Sequence, residues 1–205
     1  MAKRLFDLLV AGTALLLLSP LLLALALWIK LDSAGPVFFR QQRVGRGGRL
    51  FSIHKFRTMV ADAPVRGPLI TVGNDPRITR AGAHLRRNKL DELPQLLDVL
   101  AGHMSLVGPR PEVPAYLRFY PPALRDKVLA VRPGITDPVS LDLADESALL
   151  ARAADPEREY IEVLLPRKLR AAVAYAEQAT LATDLRVIFR TLRILWARLF
   201  GAGAT

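Results

Sequence analysis

From Leu8 to Ile29 the chain reads LLVAGTALLLLSPLLLALALWI, twenty-two positions without a charge. As a helix this stretch would reach about 33 Å, enough to cross a hydrocarbon core of about 30 Å. Ser19-Pro20 sits near its middle. Proline has no N–H and its ring crowds the carbonyl one turn back, near Leu16, so a kink or break is expected there, with the Ser19 hydroxyl sheltering the freed backbone groups. Three readings fit: a kinked spanning helix, a cleaved signal peptide ending near Ala24-Leu25-Ala26, and a re-entrant helix-break-helix that dips into one leaflet. Asp7 suits a signal peptide poorly. Lys3 and Arg4 precede the segment and Lys30, Arg40, Arg43, Arg46 and Arg49 follow it. The positive-inside bias wants both flanks on one face, which a re-entrant element satisfies and a span does not.

Beyond Gly35-Pro36 the pattern changes. VFFRQQ and LFSIHKF predict two short strands, and Gly45-Arg46-Gly47-Gly48 turns between them. That turn lacks the Gly-Lys-Ser/Thr ending of a phosphate loop. A helix is expected from near Leu90 through Leu100, ending at Gly102. Proline-rich joints follow at Gly108–Pro111, Tyr120–Pro122 and Arg132–Thr136, and Asp155-Pro156-Glu157 opens another helix. Near the C-terminus Leu185, Ile188, Phe189, Leu192, Leu195, Trp196 and Leu199 share one helical face. Arg186, Arg190 and Arg193 share another, with Arg198 beyond. That pattern suits core packing and a membrane interface equally. The pattern as a whole predicts a mainly helical α+β fold with a small β-hairpin. Residues 1–33 are expected as a membrane-inserted re-entrant element and 34–205 as a single domain with interfacial C-terminal helices.

The 205 residues are 51% hydrophobic, which excludes a disordered chain. No cysteine is present, so there is no disulfide, thiolate metal site or cysteine nucleophile. The net charge of +10 calls for an anionic partner. Between residues 40 and 90 twelve Lys and Arg face only Asp62 and Asp75. Lipid headgroups or phosphate recognition would each explain that excess. Nucleic acid is not expected, since no interleaved exposed aromatics or reader motif accompany it.

Chemistry concentrates in LDELPQLLDVLAGHMSLVGPRPE, residues 90–112. Asp91-Glu92 precede a helix start, where acids also serve as caps. Adjacent carboxylates can hold Mg²⁺, which bridges one or two carboxylates to phosphates. A carboxylate can also attack phosphorus to give an acyl phosphate. Arg110, between two prolines, can present a planar fork to a phosphate. His54, His84 and His103 are scattered without ligand spacing, and Ser19, Ser105 and Ser140 lack a G-x-S-x-G context.

KRLFDLLVAGTALLLLSP, HKFRTM, NDPRITRAGAHLRR, LDELPQLLDVLAGHMSLVGPRPE and VRPGIT occur in the order found in the bacterial sugar transferases, and the chain resembles that family along nearly its whole length. These are polyprenyl-phosphate sugar-1-phosphate transferases, or monotopic phosphoglycosyl transferases. The resemblance implies a UDP-sugar donor and an undecaprenyl phosphate acceptor at the bacterial inner membrane, with the catalytic part facing the cytoplasm. It implies Asp91 as nucleophile and Glu92 as its assistant, with Mg²⁺ or with the incoming lipid phosphate, and the pair as the Mg²⁺ ligands. It also implies Arg110 as a phosphate contact, with Lys55, Arg57 and Arg87 as further anion contacts. Ser19-Pro20 matches the family's helix-breaking pair. After VRPGIT many relatives continue with glycine, whereas this chain has Asp137-Pro138-Val139-Ser140, so the resemblance does not name the sugar. Oligomeric state is left open, a homodimer included. The rival is a basic membrane-bound scaffold in which Asp91-Glu92 merely cap a helix.

Overall fold

The computed structural model describes residues 1–67, 70–73, 75–138 and 146–200. Val139 and Ser140 lie outside the described residues, as does the side chain of Arg198.

α1 runs from Ala2 to Asp32. The expected break at Ser19-Pro20 is not an interruption of this helix: Pro20 lies inside it. Proline removes the donor for the Leu16 carbonyl, and the Ser19 hydroxyl takes that carbonyl instead, at 2.8 Å. Positions 7, 11, 18, 22, 25 and 29 stay turned toward the rest of the chain, so the inward stripe keeps its phase past the proline. The two ends of α1 pack on the same body. Ala11 joins Phe51, Leu96, Val99 and Met104 in one apolar cluster, whereas Leu25 and Ile29 join Phe56 and Leu85 in another. Asp7, buried in an otherwise apolar stretch, accepts from Ser105 Oγ at 2.8 Å and the Leu106 N–H at 3.3 Å. Between these ends the outer face of the helix is bare, with Leu16, Leu17 and Leu23 more than 70% exposed.

β1 (Phe38–Val44) and β2 (Leu50–Phe56) pair antiparallel from Phe38 opposite Phe56 to Val44 opposite Leu50, as their alternation predicts. The turn needs glycine at Gly47 and Gly48, whose φ values of 67° and 77° are left-handed. After a short helix α2 (Ala63–Arg66), helix α3 (Arg80–Arg87) starts on Thr79, whose Oγ1 accepts the Gly82 N–H at 3.0 Å. Gly82 is required there: a Cβ would lie 2.0 Å from the Thr58 carbonyl oxygen.

The helix expected from Leu90 begins later. Leu90–Glu92 make one 3₁₀ turn, and α4 runs from Gln95 to Leu100. Pro94 cannot donate to the Leu90 carbonyl, so that oxygen is taken by Leu93 N–H in the tighter bond at 3.3 Å.

One proline-rich joint holds, and another directly follows, a strand that the pattern does not reveal. β3 (Ser105–Val107) pairs in parallel with β4 (Gly134–Thr136). The two chains approach so closely at Gly108 and Gly134 that a Cβ on Gly134 would lie 2.0 Å from Gly108 N. Arg110 follows β3 directly. Between β3 and β4 stand α5 (Pro114–Leu117) and α6 (Pro122–Leu129), and α7 (Glu146–Leu150) comes after β4. Helix α8 (Pro156–Glu159), capped by Asp155, passes through a π-turn at Tyr160–Leu164 into α9 (Leu165–Gln178). The widened turn stands just before Pro166, which offers no N–H to the Glu162 carbonyl. A third apolar cluster fills this half, centred on Tyr116, Tyr120, Leu150, Tyr160, Leu165 and Leu169.

α10 spans Leu181–Phe200. The apolar face expected there divides. Ile188, with Val187, packs on the cluster around Ala11 and Val107, whereas Phe189, Leu192 and Trp196 are 56–68% exposed.

Candidate active site

The acid pair owes its placement to a reversal after α3. Lys89 adopts left-handed backbone (φ 57°, ψ 22°), the one non-glycine residue among those described to do so. A branched-off Cβ disfavours that conformation, by about 1 kcal/mol or more. The strain turns the chain so that the following 3₁₀ turn sets Asp91 and Glu92 against β2, where both are 8% exposed. Lys55 reaches them from β2, with Nζ 2.7 Å from Glu92 Oε1 and 4.0 Å from Asp91 Oδ2. Arg110 comes from the loop after β3: its Nη1 donates to Glu92 Oε2 at 3.2 Å and its Nη2 to Glu92 Oε1. The fork is thus bidentate.

The two carboxylates are therefore unlike. Burial alone would push Glu92 upward, but Arg110 and then Lys55 outweigh it and hold Glu92 well below the usual carboxylate range. Asp91 moves the other way: burial raises it and the Glu92 charge adds to this, against partial relief from Lys55, Lys89 and Arg86. Glu92 is a fixed charge held between two cations. Asp91 is the more basic carboxylate, and Lys55 Nζ approaches it only to 4.0 Å, beyond hydrogen-bonding distance. Adjacent acids driven apart in this way divide their labour.

Four residues named from the sequence meet here: Lys55, Asp91, Glu92 and Arg110. Arg57 does not. It is 4% exposed, and its guanidinium closes the C-terminal end of α1, donating to the Ser33 carbonyl and hydroxyl at 2.8 Å each and to the Pro36 carbonyl at 2.6 Å. The expectation of an anion contact at Arg57 is corrected to a helix-end anchor, because helix C-terminal carbonyls are themselves unsatisfied acceptors. Arg57→Ala should lower stability by about 2–3 kcal/mol, as those carbonyls lose a charged donor. A urea melt of the detergent-solubilised chain checks this, and an unchanged midpoint would refute it. Arg87 stands on the exposed side of α3, and its neighbour Arg86 is the residue close enough to Asp91 to favour its charge. Arg86 Nη2 donates to Thr71 Oγ1 at 2.9 Å, while its Nη1 is buried without an acceptor. The spacing of Ala81, Leu85 and Asn88 as the inward face of α3 was the available sign that Arg87 points away.

Glu92 is poorly placed as a metal ligand, since both its oxygens already accept N–H donors. Asp91 alone offers a carboxylate for a hard cation. Among the described residues no group of three or more His, Cys, Asp or Glu stands together. The residues present fit Mg²⁺ only in the manner in which that ion binds through one carboxylate together with substrate phosphates.

Buried donors without partners cluster in the residues around the acid pair. Arg43 Nε, Arg86 Nη1 and Gln95 Nε2 are three of the four such side-chain atoms among the described residues. Arg43 and Arg86 sense the charges of Glu92 and Asp91, and Gln95 stands one turn after Glu92. Buried N–H groups without an acceptor are rare in folded proteins, and here three of them belong to residues beside the acid pair or sensing its charge.

An apolar helix long enough to cross a membrane, a buried acid pair and a Lys and an Arg converging on one of its carboxylates stand together in this fold. The description "bacterial sugar transferase" matches residues 1–198, and the chain belongs to that family. It is 58% identical over 109 residues to an exopolysaccharide production protein of Rhizobium leguminosarum bv. phaseoli, a match covering 53% of this chain and 54% of that protein. It is 38% identical over 206 residues, 98% of this chain and 44% of the relative, to a UDP-N-acetylgalactosamine-undecaprenyl-phosphate N-acetylgalactosaminephosphotransferase of Aeromonas hydrophila. A UDP-glucose:undecaprenyl-phosphate glucose-1-phosphate transferase of Caulobacter vibrioides is 39% identical over 194 residues, covering 93% of this chain and 68% of the relative. The chain thus spans about half the length of the first two relatives.

Proposed function

We propose that this chain moves a sugar-1-phosphate from a UDP-sugar to undecaprenyl or a related polyprenyl phosphate, as the first membrane step of polysaccharide assembly. The observation that carries the reading is the division of the acid pair, with Glu92 clamped by Lys55 and Arg110 and Asp91 left as the more basic carboxylate. An Asp91 oxygen attacks the phosphorus that bears the sugar. The bond from that phosphorus to the bridging oxygen breaks, and UMP leaves with the electron pair. The lipid phosphate oxygen then attacks the same phosphorus and Asp91 departs as carboxylate, in two exchanges that give ping-pong kinetics. Arg110, Arg86 and Lys55 neutralise the charge that gathers on the phosphoryl oxygens. A Mg²⁺ ion held at Asp91 would supply further neutralisation of the donor's diphosphate.

The site works at the cytoplasmic face of the inner membrane in this reading, and α1 is re-entrant. Its support is mechanical: both ends of α1 pack on one body while its apolar middle is exposed, so a bilayer that receives the middle leaves both ends on one side. Exposed Phe189, Leu192 and Trp196 on α10 suit the same interface. Because the chain lacks cysteine, Ala2→Cys and Asp126→Cys can be labelled singly in sealed vesicles. Labelling of both from the cytoplasmic side is the expected result, and labelling from opposite sides would establish a span.

The activity is tested by UMP release from UDP-glucose, UDP-galactose and UDP-N-acetylgalactosamine with Mg²⁺, with and without undecaprenyl phosphate. Acceptor-dependent release from one donor is expected. Folded protein in lipid that releases UMP from none would leave the scaffold.

A further inference from the structure

The end of β1 grips the loop that carries Arg110. Val44 N–H donates to the Glu112 carbonyl at 2.9 Å, and Arg43 Nη1 donates to the Pro111 carbonyl at 3.0 Å. Two consecutive strand residues thus hold the two residues that follow Arg110. Arg43 Nη2 donates to Gln41 Oε1 at 2.6 Å, and Nε is buried without an acceptor. The acceptors of this guanidinium are a carbonyl and an amide oxygen, both neutral.

Such an arrangement is unfavourable. Burial, and then the like charge of Arg110, lower the Arg43 pKa, with Glu112, Tyr160 and Glu92 acting the other way. A neutral side chain of similar reach could hold the Pro111 carbonyl without that penalty. What a neutral donor lacks is charge, and Arg110, which directly precedes the Pro111 that Arg43 holds, is the charge that bears on it most strongly. Repulsion between two guanidiniums disfavours any rotamer that swings the Arg110 fork back toward β1, and leaves it on Glu92, where both Nη atoms are bonded. The Arg110 side chain remains 37% exposed, so it stays accessible from solvent.

We propose that Arg43 is a positioning residue for the anion-binding arm of the site: it fixes the Pro109–Pro111 loop through the Pro111 carbonyl, and its like charge holds the Arg110 fork against Glu92 with an edge presented to a diphosphate. The kinetic arm of this proposal rests on the transferase reading above, and the binding arm does not.

Arg43→Lys keeps the charge and gives up the fork, whereas Arg43→Gln keeps a neutral donor. The 205-residue chain in nanodiscs is titrated with inorganic pyrophosphate by calorimetry, melted, and assayed for kcat and KM with the UDP-sugar the wild type turns over. Arg43→Gln should bind pyrophosphate about tenfold more weakly and lose about 100-fold in kcat, with KM changed less and no fall in melting temperature, since misplacing a catalytic group by about 1 Å has that effect. Arg43→Lys should stay within about threefold of wild type on both readouts. A parallel decline of the two variants in step with melting temperature would reduce Arg43 to a loop anchor and overturn the proposal. So would pyrophosphate binding that is absent in the wild type or unchanged in Arg43→Gln. Wild type that binds pyrophosphate yet releases no UMP from any donor defeats the transferase reading, and the pyrophosphate series then decides Arg43 alone.

Discussion

Asp91→Asn is expected to lower UMP release by about 10⁴-fold or more, the range seen when a covalent nucleophile is removed, and to do so without lowering the melting temperature. The second half follows from linkage. A carboxyl whose pKa is raised in the fold holds its proton more tightly there than in the unfolded chain, so its ionised form opposes folding above that raised value. Asn removes the charge and keeps the shape, hence stability at neutral pH stays level or rises. Glu92→Gln has the opposite sign. Glu92 is depressed below its ordinary 4.5, so it contributes stability that is fully present above that value and is lost as the pH falls toward the depressed one. The glutamine variant should melt lower than wild type at pH 7, and the gap should close in acid. Intact-mass detection of a sugar-phosphate adduct supplies the decisive control: wild type with donor alone gains it and Asp91→Asn does not. An adduct that persists in Asp91→Asn would move the nucleophile elsewhere.

Arg110→Ala should cost about 10²–10³-fold in kcat, the effect of removing one fixed donor from the place where charge develops. It also releases Glu92 from its fork, leaving Lys55 as its remaining bonded cation. A second consequence separates this variant from a simple loss of substrate grip: with Glu92 free to turn, the electrostatic contrast between the two acids shrinks. Arg110→Lys restores charge without the bidentate geometry, so it should recover only part of the rate. Single-turnover adduct formation measures the first exchange by itself. If Arg110→Ala forms adduct at the wild-type rate, the arginine serves only the second exchange or neither.

Part of the fold and of the site is legible in the sequence. The uncharged run, the β-hairpin and the acid pair each rest on a local pattern: unbroken apolarity, alternation about a glycine turn, and acids before a proline. What stayed hidden rests on contacts distant in sequence. β3 and β4 are three residues each, flanked by prolines and separated by two helices, and their pairing depends on two glycines that let one backbone lie against another. Nothing local distinguishes Arg57, which closes a helix end, from Lys55 two positions earlier, which reaches the acid pair. Arg86 and Arg87 are equally basic, and only the phase of α3 assigns one of them to Asp91.

The spacing of the contacts along α1 has a consequence of its own. Asp7 and Leu25 are eighteen residues apart, as are Ala11 and Ile29, and all four are buried against the body of the protein. Eighteen residues are five whole turns at 3.6 residues per turn, so the helix returns to the same azimuth at its second foothold. α1 is therefore a ruler as well as an anchor. Lengthening it by a single residue would rotate one foothold by about 100° relative to the other and detach one of them. The distance between the two footholds is accordingly written into a count of helical turns, and it would change only in whole periods.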